Sequence, residues 1–239
     1  MKNLSVFFPC YNEEKNIESL TRKFLSLLPA IADQFEIIIV NDGSRDRTRQ
    51  VAEALARTDN RVRVVHQSNK GYGGALKTGF RESKSDWVFF TDGDGQFNPD
   101  ELRTFLPFQN QFDFIIGYRV KRVEGAKRAL FQKLLSIWAR IFFGFPAGIK
   151  DIDCAFKLIR RSALEKCLPL ESDGAMISTE LLLKAFLSGA RVQQVGVQHY
   201  PRLNGNPTGQ KINVILKAVR ETFLLRKTIG AWRTKRSTA

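Results

Sequence analysis

Two aspartates, Asp92 and Asp94, stand two residues apart behind an apolar run and could hold one divalent cation. Mg²⁺ and Mn²⁺ commonly take one or two protein carboxylates and complete their coordination with water and substrate phosphates. Gly93 and Gly95 beside them would let a bulky diphosphate approach the backbone. An ordinary Asp-Gly turn explains these residues equally well, so the pair alone leaves both interpretations open.

Two further polar segments could bind a nucleotide. The segment Asn-Asp-Gly-Ser at 41–44 follows a strongly apolar run, and Asp42 could take a ribose or base group, although a helix-capping turn fits the same residues. The segment Gly-Tyr-Gly-Gly at 71–74 opens a helical pattern, where backbone N–H groups could meet phosphate. A dinucleotide fingerprint would need glycine where Leu76 stands, and a P-loop Gly-Lys-Ser/Thr is absent.

The elements that must position these segments alternate along the first half of the chain. Apolar runs predict strands at Leu4–Phe8, Glu36–Val40, Val62–His66 and Trp87–Thr91. Helical spacing lies between them, at Glu13–Leu28, Thr48–Arg57 and Ala75–Ser83. Such alternation predicts an α/β fold with a single doubly wound, mostly parallel sheet and flanking helices. Ligands of these sheets bind beyond the carboxyl ends of the strands, where the polar segments stand.

The second half is less regular. Strands are expected at Asp113–Gly117, Cys154–Ile159 and Val192–Val197, and a helix at Ile177–Ser188. Residues 126–144 and 210–229 mix large apolar residues with lysine and arginine, as amphipathic helices at a membrane interface do. Helices that pack on the core and show solvated charges are the alternative. We expect one domain over 1–229, with a nucleotide-sugar half at 1–118, an acceptor and membrane-facing half at 119–229, and a frayed basic tail at 230–239.

Charge is distributed unevenly along the 239 residues, whose net charge is +14. Residues 1–118 carry 15 basic and 16 acidic groups, whereas residues 119–239 carry 23 basic and 8 acidic groups. A basic half suggests an anionic partner, which could be nucleic acid, a membrane surface or a phosphorylated substrate. Acidic, glycine-rich strand ends do not suit a nucleic-acid backbone, so no nucleic acid is expected.

Composition excludes several other classes. The three cysteines are scattered, which argues against a disulfide scaffold and for a reducing compartment. Two histidines without a nearby cysteine pair do not fit the usual zinc patterns. No apolar run approaches the roughly 20 residues of a membrane-spanning helix, and no cleaved signal peptide is expected at the N-terminus. These features predict a cytoplasmic protein that is peripheral on the inner face of the membrane.

Taken together, the motifs resemble those of the family 2 glycosyltransferases of the GT-A fold. The matching segments occur in the family's order, at Val6–Glu14, Ile39–Thr48, Asn69–Ala75 and Thr91–Pro99. Within that family the sequence is similar to the polyprenyl-phosphate, or dolichyl-phosphate type, sugar synthases. This narrower likeness rests on Gly117–Arg119, Ser136, Asp151–Lys157, Thr179–Leu182 and Arg202–Gly205. Many such relatives carry C-terminal transmembrane helices, which this sequence does not show.

The resemblance implies a role for each matching position. The nucleotide pocket would be lined by Pro9, Tyr11, Glu13, Asp42, Lys70, Asp92 and Gln96. Asp92 and Asp94 would hold Mg²⁺ or Mn²⁺ on the diphosphate. The expected catalytic residues are Asp94, Arg119, Glu180 and Arg202, and the expected acceptor-binding residues are Arg119, Arg128, Ser136 and Arg202. Four positions depart from the family pattern, namely Asn41, Ala155, Lys157 and Thr208.

The resemblance also implies the reaction. A sugar would pass, with inversion, from a UDP- or GDP-linked donor to a polyprenyl phosphate at the membrane surface, where an integral membrane protein could be a partner. A phosphate acceptor is largely ionised at pH 7 and needs no strong general base, which agrees with the absence of histidine from the motifs. The alternative is the same fold acting on a soluble, polysaccharide or protein acceptor.

Overall fold

A seven-stranded sheet dominates the computed structural model, which describes residues 1–120, 143–145, 148–174, 176–204 and 221–232. The strands are β1 Asn3–Cys10, β2 Gln34–Asp42, β3 Val62–Gln67, β4 Trp87–Thr91, β5 Phe114–Arg119, β6 Phe156–Arg160 and β7 Val192–Val197. The helices are α1 Ile17–Leu27, α2 Thr48–Thr58, α3 Gly71–Glu82, α4 Arg161–Glu165 and α5 Ile177–Leu187. Short 3₁₀ segments cover Leu28–Ala30 and Pro99–Phe108, and residues 221–232 are helical and form the C-terminal helix.

The strand order is β3-β2-β1-β4-β6-β5-β7. All neighbouring pairs are parallel except those of β6, which runs antiparallel to both β4 and β5. The prediction of a mostly parallel sheet with flanking helices is therefore confirmed, and one reversed strand is added to it. Because β6 is reversed, its first residues, rather than its last, lie at the edge where the other strands end.

Apolar burial explains why these segments fold as they do. The residues Ile37–Val40 of β2 are fully buried, as expected for a strand covered on both faces. Phe7, Phe80 and Phe90 join β1, α3 and β4, with ring centroids 5.1, 5.3 and 5.5 Å apart. Burying each such ring contributes about 1.5–3 kcal/mol. Gly79 lets α3 approach this closely, because a Cβ there would overlap the Phe7 ring.

The boundaries of several elements differ from the predicted ones. Helix α1 begins at Ile17 rather than at Glu13, because Asn12 adopts a positive φ of 60° and the Glu13 carbonyl accepts the first turn's hydrogen bonds from Asn16 and Ile17. Helix α3 begins four residues earlier than predicted, at Gly71. Strand β6 begins at Phe156, two residues later than predicted, and the 3₁₀ segment Pro99–Phe108 was not expected.

The two predicted amphipathic helices are described only in part. Residues 126–142 and 210–220 lie outside the described residues. Residues 221–229 are helical, as predicted, but the helix continues to residue 232 rather than fraying at 230. Trp232 is placed by packing, since its ring lies 5.9 Å from the buried Lys184 ammonium. Within the described ranges, no helix combines the length and apolarity needed to cross a membrane.

Candidate functional site

Polar side chains from several strands meet at one edge of the sheet. Strands β1, β2, β4, β5 and β7 all end there, and the reversed β6 starts there. The structure brings the following expected site residues to this edge: Glu13, Asp42, Asp92, Asp94, Gln96, Arg119 and Arg202. The rule that ligands bind beyond the carboxyl ends of parallel strands therefore selects the same place that the motifs selected.

The Asp92 and Asp94 carboxylates follow β4 directly. Asp92 Oδ1 is buried and has no hydrogen-bond partner among the described residues, while the Tyr72 hydroxyl hydrogen-bonds to the Asp92 carboxylate. Asp94 Oδ1 accepts a hydrogen bond from Gln96 N at 3.1 Å, and Asp94 Oδ2 lies 3.7 Å from Arg202 Nη1. A buried carboxylate oxygen without a partner is costly unless something else satisfies it.

The electrostatics of this pair favour a cation. Burial, followed by repulsion from Asp94, raises the pKa of Asp92 to about 7. Burial also raises the pKa of Asp94, against the effects of the Gln96 N–H and Arg202. A divalent ion would neutralise both charges and satisfy the orphaned oxygen, so the pair fits Mg²⁺ or Mn²⁺. The described residues contain no group of three or more metal-binding side chains, which leaves the rest of the coordination sphere to phosphates and water.

The backbone between the two aspartates lies tightly against β1. A Cβ on Gly93 would come within 2.7 Å of Cys10 Sγ and 2.8 Å of the Pro9 carbonyl oxygen. Gly95 has a φ of +73°, a conformation that side chains rarely adopt. Both glycines are therefore required by the turn itself, which fixes the direction in which the two carboxylates point.

We expect Mg²⁺ or Mn²⁺ to raise the unfolding temperature more at about pH 8 than at about pH 6. The folded-state pKa of Asp92, about 7, lies above the ordinary value of 3.8, so at the lower pH the metal must displace a proton. Without metal, the neutral carboxyl's contribution to stability is complete below about pH 4 and is lost as the pH rises through about 7.

Thermal unfolding with and without metal at both pH values tests this expectation. The Asp92→Asn variant, which lacks both the titrating group and one proposed metal ligand, should lose most of the metal effect at both pH values. An equal metal-induced shift of the wild type at both pH values would contradict it.

On the nucleotide side, Asp42 is held by the connection between β3 and α3. Asp42 Oδ1 accepts hydrogen bonds from Gln67 Nε2 at 2.6 Å and from Lys70 N at 2.8 Å. Gln67 Oε1 in turn accepts a hydrogen bond from the Thr78 hydroxyl at 2.6 Å. Gly43, with a φ of +69°, lets the loop after β2 pack on the loop after β3. Asp42 is therefore fixed in place before any ligand arrives.

Arg202 joins the loop after β7 to the loop after β1. Its Nη2 lies 2.5 Å from Glu13 Oε1, and Glu13 Oε2 accepts a hydrogen bond from Asn16 Nδ2 at 2.6 Å. Asn204 completes the bridge, since its carbonyl accepts from Arg202 Nε at 2.7 Å and its amide donates to Asn16 Oδ1 at 3.2 Å. Burial raises the pKa of Glu13, while Asn16 and Arg202 oppose that rise.

Arg119, at the end of β5, is committed to a buried ion pair. Its Nε and Nη2 donate to the two Asp151 oxygens at 2.8 and 3.0 Å, and both side chains are almost inaccessible to water. Burial lowers the pKa of Arg119, but the Asp151 carboxylate outweighs that effect and raises it overall. The guanidinium is near enough to lower the pKa of Asp92, so its charge reaches the site while its N–H groups face Asp151.

Glu180 takes part in a buried network rather than in the contacts at the sheet edge. Its side chain is fully buried, and Oε1 lies 2.7 Å from Lys184 Nζ. Both oxygens accept from Glu171 N, at 2.9 and 3.1 Å, and Oε2 also accepts from Ser172 N at 2.8 Å. These interactions hold the loop before α5 against the helix itself, so among the described residues Glu180 has a structural role.

The remaining expected residues divide into two groups. Pro9 is the penultimate residue of β1 and lies beside the Gly93 turn, Tyr11 follows β1 directly, and Lys70 contributes its backbone N–H to Asp42. Arg128 and Ser136 lie outside the described residues.

Several residues near the site were not expected. Tyr72 and Lys157 lie close enough to lower the pKa of Asp92, and Asp151 lies close enough to raise the pKa of Arg119. The Lys157 ammonium is fully buried, donates to the Cys154 carbonyl and lies 5.4 Å from the Phe90 ring centroid. Burial lowers its pKa. All three residues lie in segments that match the family, which was the signal available in the sequence. The position of Lys157 near Asp92 follows from the pairing of β4 with β6, which no local pattern predicts.

Comparison with known proteins identifies the family. The model of glycosyl transferase family 2 matches residues 5–168, which is more than half of the chain. The chain belongs to this family. Among its relatives, an undecaprenyl-phosphate 4-deoxy-4-formamido-L-arabinose transferase of Pseudomonas aeruginosa is 29% identical over 84% of this chain and 59% of that protein. The human dolichyl-phosphate beta-glucosyltransferase is 29% identical over 99% of this chain and 79% of that protein.

Solved structures of other proteins have the same fold as this chain. Glucosyl-3-phosphoglycerate synthase from Mycobacterium tuberculosis, in complex with Mn²⁺, UDP and phosphoglyceric acid, superposes with a TM-score of 0.71. It is 19% identical, over 95% of this chain and 78% of that one. The predicted GT-A fold is confirmed by this likeness. The chain spans 59% of the length of the Pseudomonas relatives, so activity and substrates are matters for proposal.

Proposed function

We propose that this protein transfers a sugar from a UDP- or GDP-linked donor to a polyprenyl phosphate, with Mg²⁺ or Mn²⁺ bound at Asp92 and Asp94. The observation that carries the proposal is the Asp92–Asp94 pair at the sheet edge, where the buried Asp92 Oδ1 has no hydrogen-bond partner among the described residues and Asp94 faces Arg202. A carboxylate pair beside a fixed nucleotide-facing carboxylate suits a diphosphate with its cation.

The names of similar proteins support a phosphate as the acceptor. The sequence relatives are named for undecaprenyl phosphate and dolichyl phosphate. The solved structure with UDP contains phosphoglyceric acid. A phosphate monoester is the chemistry that these acceptors share. In polyprenyl phosphate this group is itself the nucleophile and is largely ionised at pH 7, so the attacking oxygen needs no strong base from the protein.

In the proposed reaction the protein's own groups stabilise the departing diphosphate. Asp92 and Asp94 would hold a divalent cation, which would supply neutralising charge there. Arg202, 3.7 Å from Asp94 Oδ2, adds positive charge from the loop after β7. Arg119 adds charge from behind Asp92 while remaining paired with Asp151.

The remaining parts of the proposed site bind and orient. Asp42, held by Gln67 and Lys70, would accept from the nucleoside, with Pro9 and Tyr11 beside it. Gln96 ties the Asp94 turn to the loop after β7, through Nε2 to the Tyr200 carbonyl at 2.9 Å. Arg128 and Ser136 complete the acceptor side of the proposal. Direct in-line attack of the acceptor would invert the configuration at the sugar.

A membrane location forms part of the proposal. On the C-terminal helix, Leu225 and Ile229 are buried, whereas Phe223 and Leu224 are 57% and 56% exposed. Exposed aromatic and aliphatic side chains beside Arg226 and Lys227 suit an interface that takes up apolar groups and attracts cations. An integral membrane partner would be compatible with the same surface.

A soluble phosphorylated acceptor is the second candidate. It is favoured by the fold likeness to glucosyl-3-phosphoglycerate synthase over 95% of this chain. The site geometry serves both candidates, because both acceptors present a phosphate.

Release of nucleoside diphosphate from a panel of UDP- and GDP-sugars tests the proposal. We expect release that requires a divalent ion together with a detergent-dispersed polyprenyl phosphate, and a labelled product that partitions into organic solvent. Release with phosphoglyceric acid and a water-soluble product would favour the second candidate. Release that needs no acceptor, or none with any donor, would contradict both.

A further inference from the structure

A basic groove of about 880 Å³ runs between α3 and the loop before α5, and it begins at Lys70, whose backbone N–H holds Asp42. Its basic lining residues are Lys70, Lys77, Arg81, Lys84 and Arg161. A short apolar segment, Leu168–Leu170, forms part of the opposite wall, and Asp173 is the one carboxylate among the described lining residues. Five cations facing one carboxylate give the groove a strongly positive field.

Two of the groove cations, Lys77 and Arg81, lie on α3, while Lys70 immediately precedes the helix and Lys84 lies two residues beyond its end. Lys77 and Arg81 stand four residues apart, a like-charge spacing that destabilises an isolated helix. The outer arginines of α1 and α2 instead pair with glutamates four residues away, as Arg22 does with Glu18.

Part of this charge has no partner among the described residues. Lys77 pairs with Asp173, and Arg161 pairs with Glu165 at 2.8 Å and donates to the Phe80 and Ser83 carbonyls at the end of α3. Lys84 makes no hydrogen bond or ion pair with its side chain among the described residues. Arg81 is 68% exposed and contacts Glu82, a carboxylate that also pairs with Arg63. Lys84 and the exposed Arg81 therefore leave positive charge available to an external anion.

The wall of the groove continues into the C-terminal helix. The Pro169 carbonyl accepts from Lys184 Nζ, which lies 5.9 Å from the Trp232 ring. At the other end of the same loop, Gly174 lies directly against the Glu221 carboxylate. The loop that forms one wall of the groove is therefore packed on the C-terminal helix, which exposes Phe223 and Leu224.

We propose that this groove binds the phosphate headgroups of anionic phospholipids and so docks the protein on a charged membrane. The inference rests on the membrane location in the proposed function, and it assigns the docking to α3 rather than to the sheet edge. The apolar Leu168–Leu170 wall suits the glycerol and upper acyl region of the same lipid. Basic clusters of this kind attract anionic leaflets with about 1 kcal/mol per cation, which is a factor of about five each.

The test compares two charge-matched double variants in vesicle co-sedimentation. Arg81→Gln with Lys84→Gln removes two groove cations, whereas Lys23→Gln with Arg57→Gln removes two exposed cations from α1 and α2. On vesicles of equal parts phosphatidylcholine and phosphatidylglycerol, we expect the groove variant to bind at least about tenfold more weakly than the wild type, and the control nearly as tightly. Pure phosphatidylcholine should bind all three proteins poorly.

Several outcomes would overturn the docking site. Equal weakening in both variants would show diffuse charge attraction, and no weakening in the groove variant would remove the groove from membrane binding. Groove-dependent binding of a single-stranded oligonucleotide without groove-dependent vesicle binding would assign the surface to nucleic acid. Release of nucleoside diphosphate with detergent-dispersed acceptor should be the same for both variants; a loss confined to the groove variant would place the groove in the reaction instead.

The docking site and the proposed function can fail independently. Sedimentation needs no sugar donor, so a protein that turns over no donor could still show groove-dependent vesicle binding. Conversely, lipid-dependent transfer with groove-independent sedimentation would leave the function standing and remove the docking site.

Discussion

The Asp94→Asn variant should lose sugar transfer by at least about a hundredfold, with little loss of stability. Asparagine keeps an Oδ1 that can accept from Gln96 N, the hydrogen bond that shapes the turn at 3.1 Å. It removes the charge that holds the cation and that faces Arg202. Loss of charge at unchanged shape separates the electrostatic role of Asp94 from its structural one.

Nucleoside diphosphate release and the metal-induced shift of the unfolding temperature should both be measured for this variant. Asp86→Asn is the matched control, because Asp86 is exposed and precedes β4, while Asp94 follows the same strand at the opposite edge of the sheet. We expect Asp86→Asn to behave as the wild type in both measurements. Asp94→Asn turnover within a few-fold of wild type would remove the metal assignment.

The Lys184→Met variant should lower the free energy of unfolding by about 3–5 kcal/mol, because it leaves the Glu180 carboxylate buried without its cation. For a chain of this size that corresponds to a fall in the unfolding temperature of about 10 °C. The loss also releases the hydrogen bond from Lys184 to the Pro169 carbonyl.

Urea and thermal unfolding measure this effect, with Lys23→Met as the control at an exposed lysine of α1. Adding Glu180→Gln to Lys184→Met should recover part of the loss, since the uncompensated charge disappears while an amide oxygen can still accept from Glu171 N and Ser172 N. An unchanged unfolding temperature in Lys184→Met would show that the pair is not needed for stability.

The strand ends that carry Asp42 and Asp92 could be predicted from the sequence because their signals are local. An apolar run followed by a glycine-containing polar turn specifies a strand and its end, and parallel strands then converge at one edge. The same local reasoning identified most strands to within a few residues. It also predicted helix α3, although the predicted range started at Ala75, four residues after the observed start at Gly71.

The long-range partners could not be predicted in this way. Strand β6 pairs with β4 in the antiparallel direction, with Trp87 opposite Arg160, so the residues before β6 lie at the site. A rule that considers only the residues after each strand does not predict them. Arg202 and Glu13 are 189 positions apart, and no local pattern indicates that they meet.

Glu180 shows that a match to a family motif does not by itself place a residue at the site. Its position matched the family pattern, but a helical Glu-Lys spacing of four residues was also present and indicated an ion pair. Burial of both partners depends on packing that the sequence does not display.

The ion pairs of Arg202 have a kinetic consequence for the proposed reaction. Before any ligand arrives, Arg202 is shared between Glu13 and Asp94, and the edge gathers several mostly buried carboxylates. A doubly charged acceptor phosphate would be repelled there until the donor and its cation have changed the local sign. Substrate addition should therefore be ordered, with the donor first, and the released nucleoside diphosphate should inhibit competitively with the donor rather than with the acceptor.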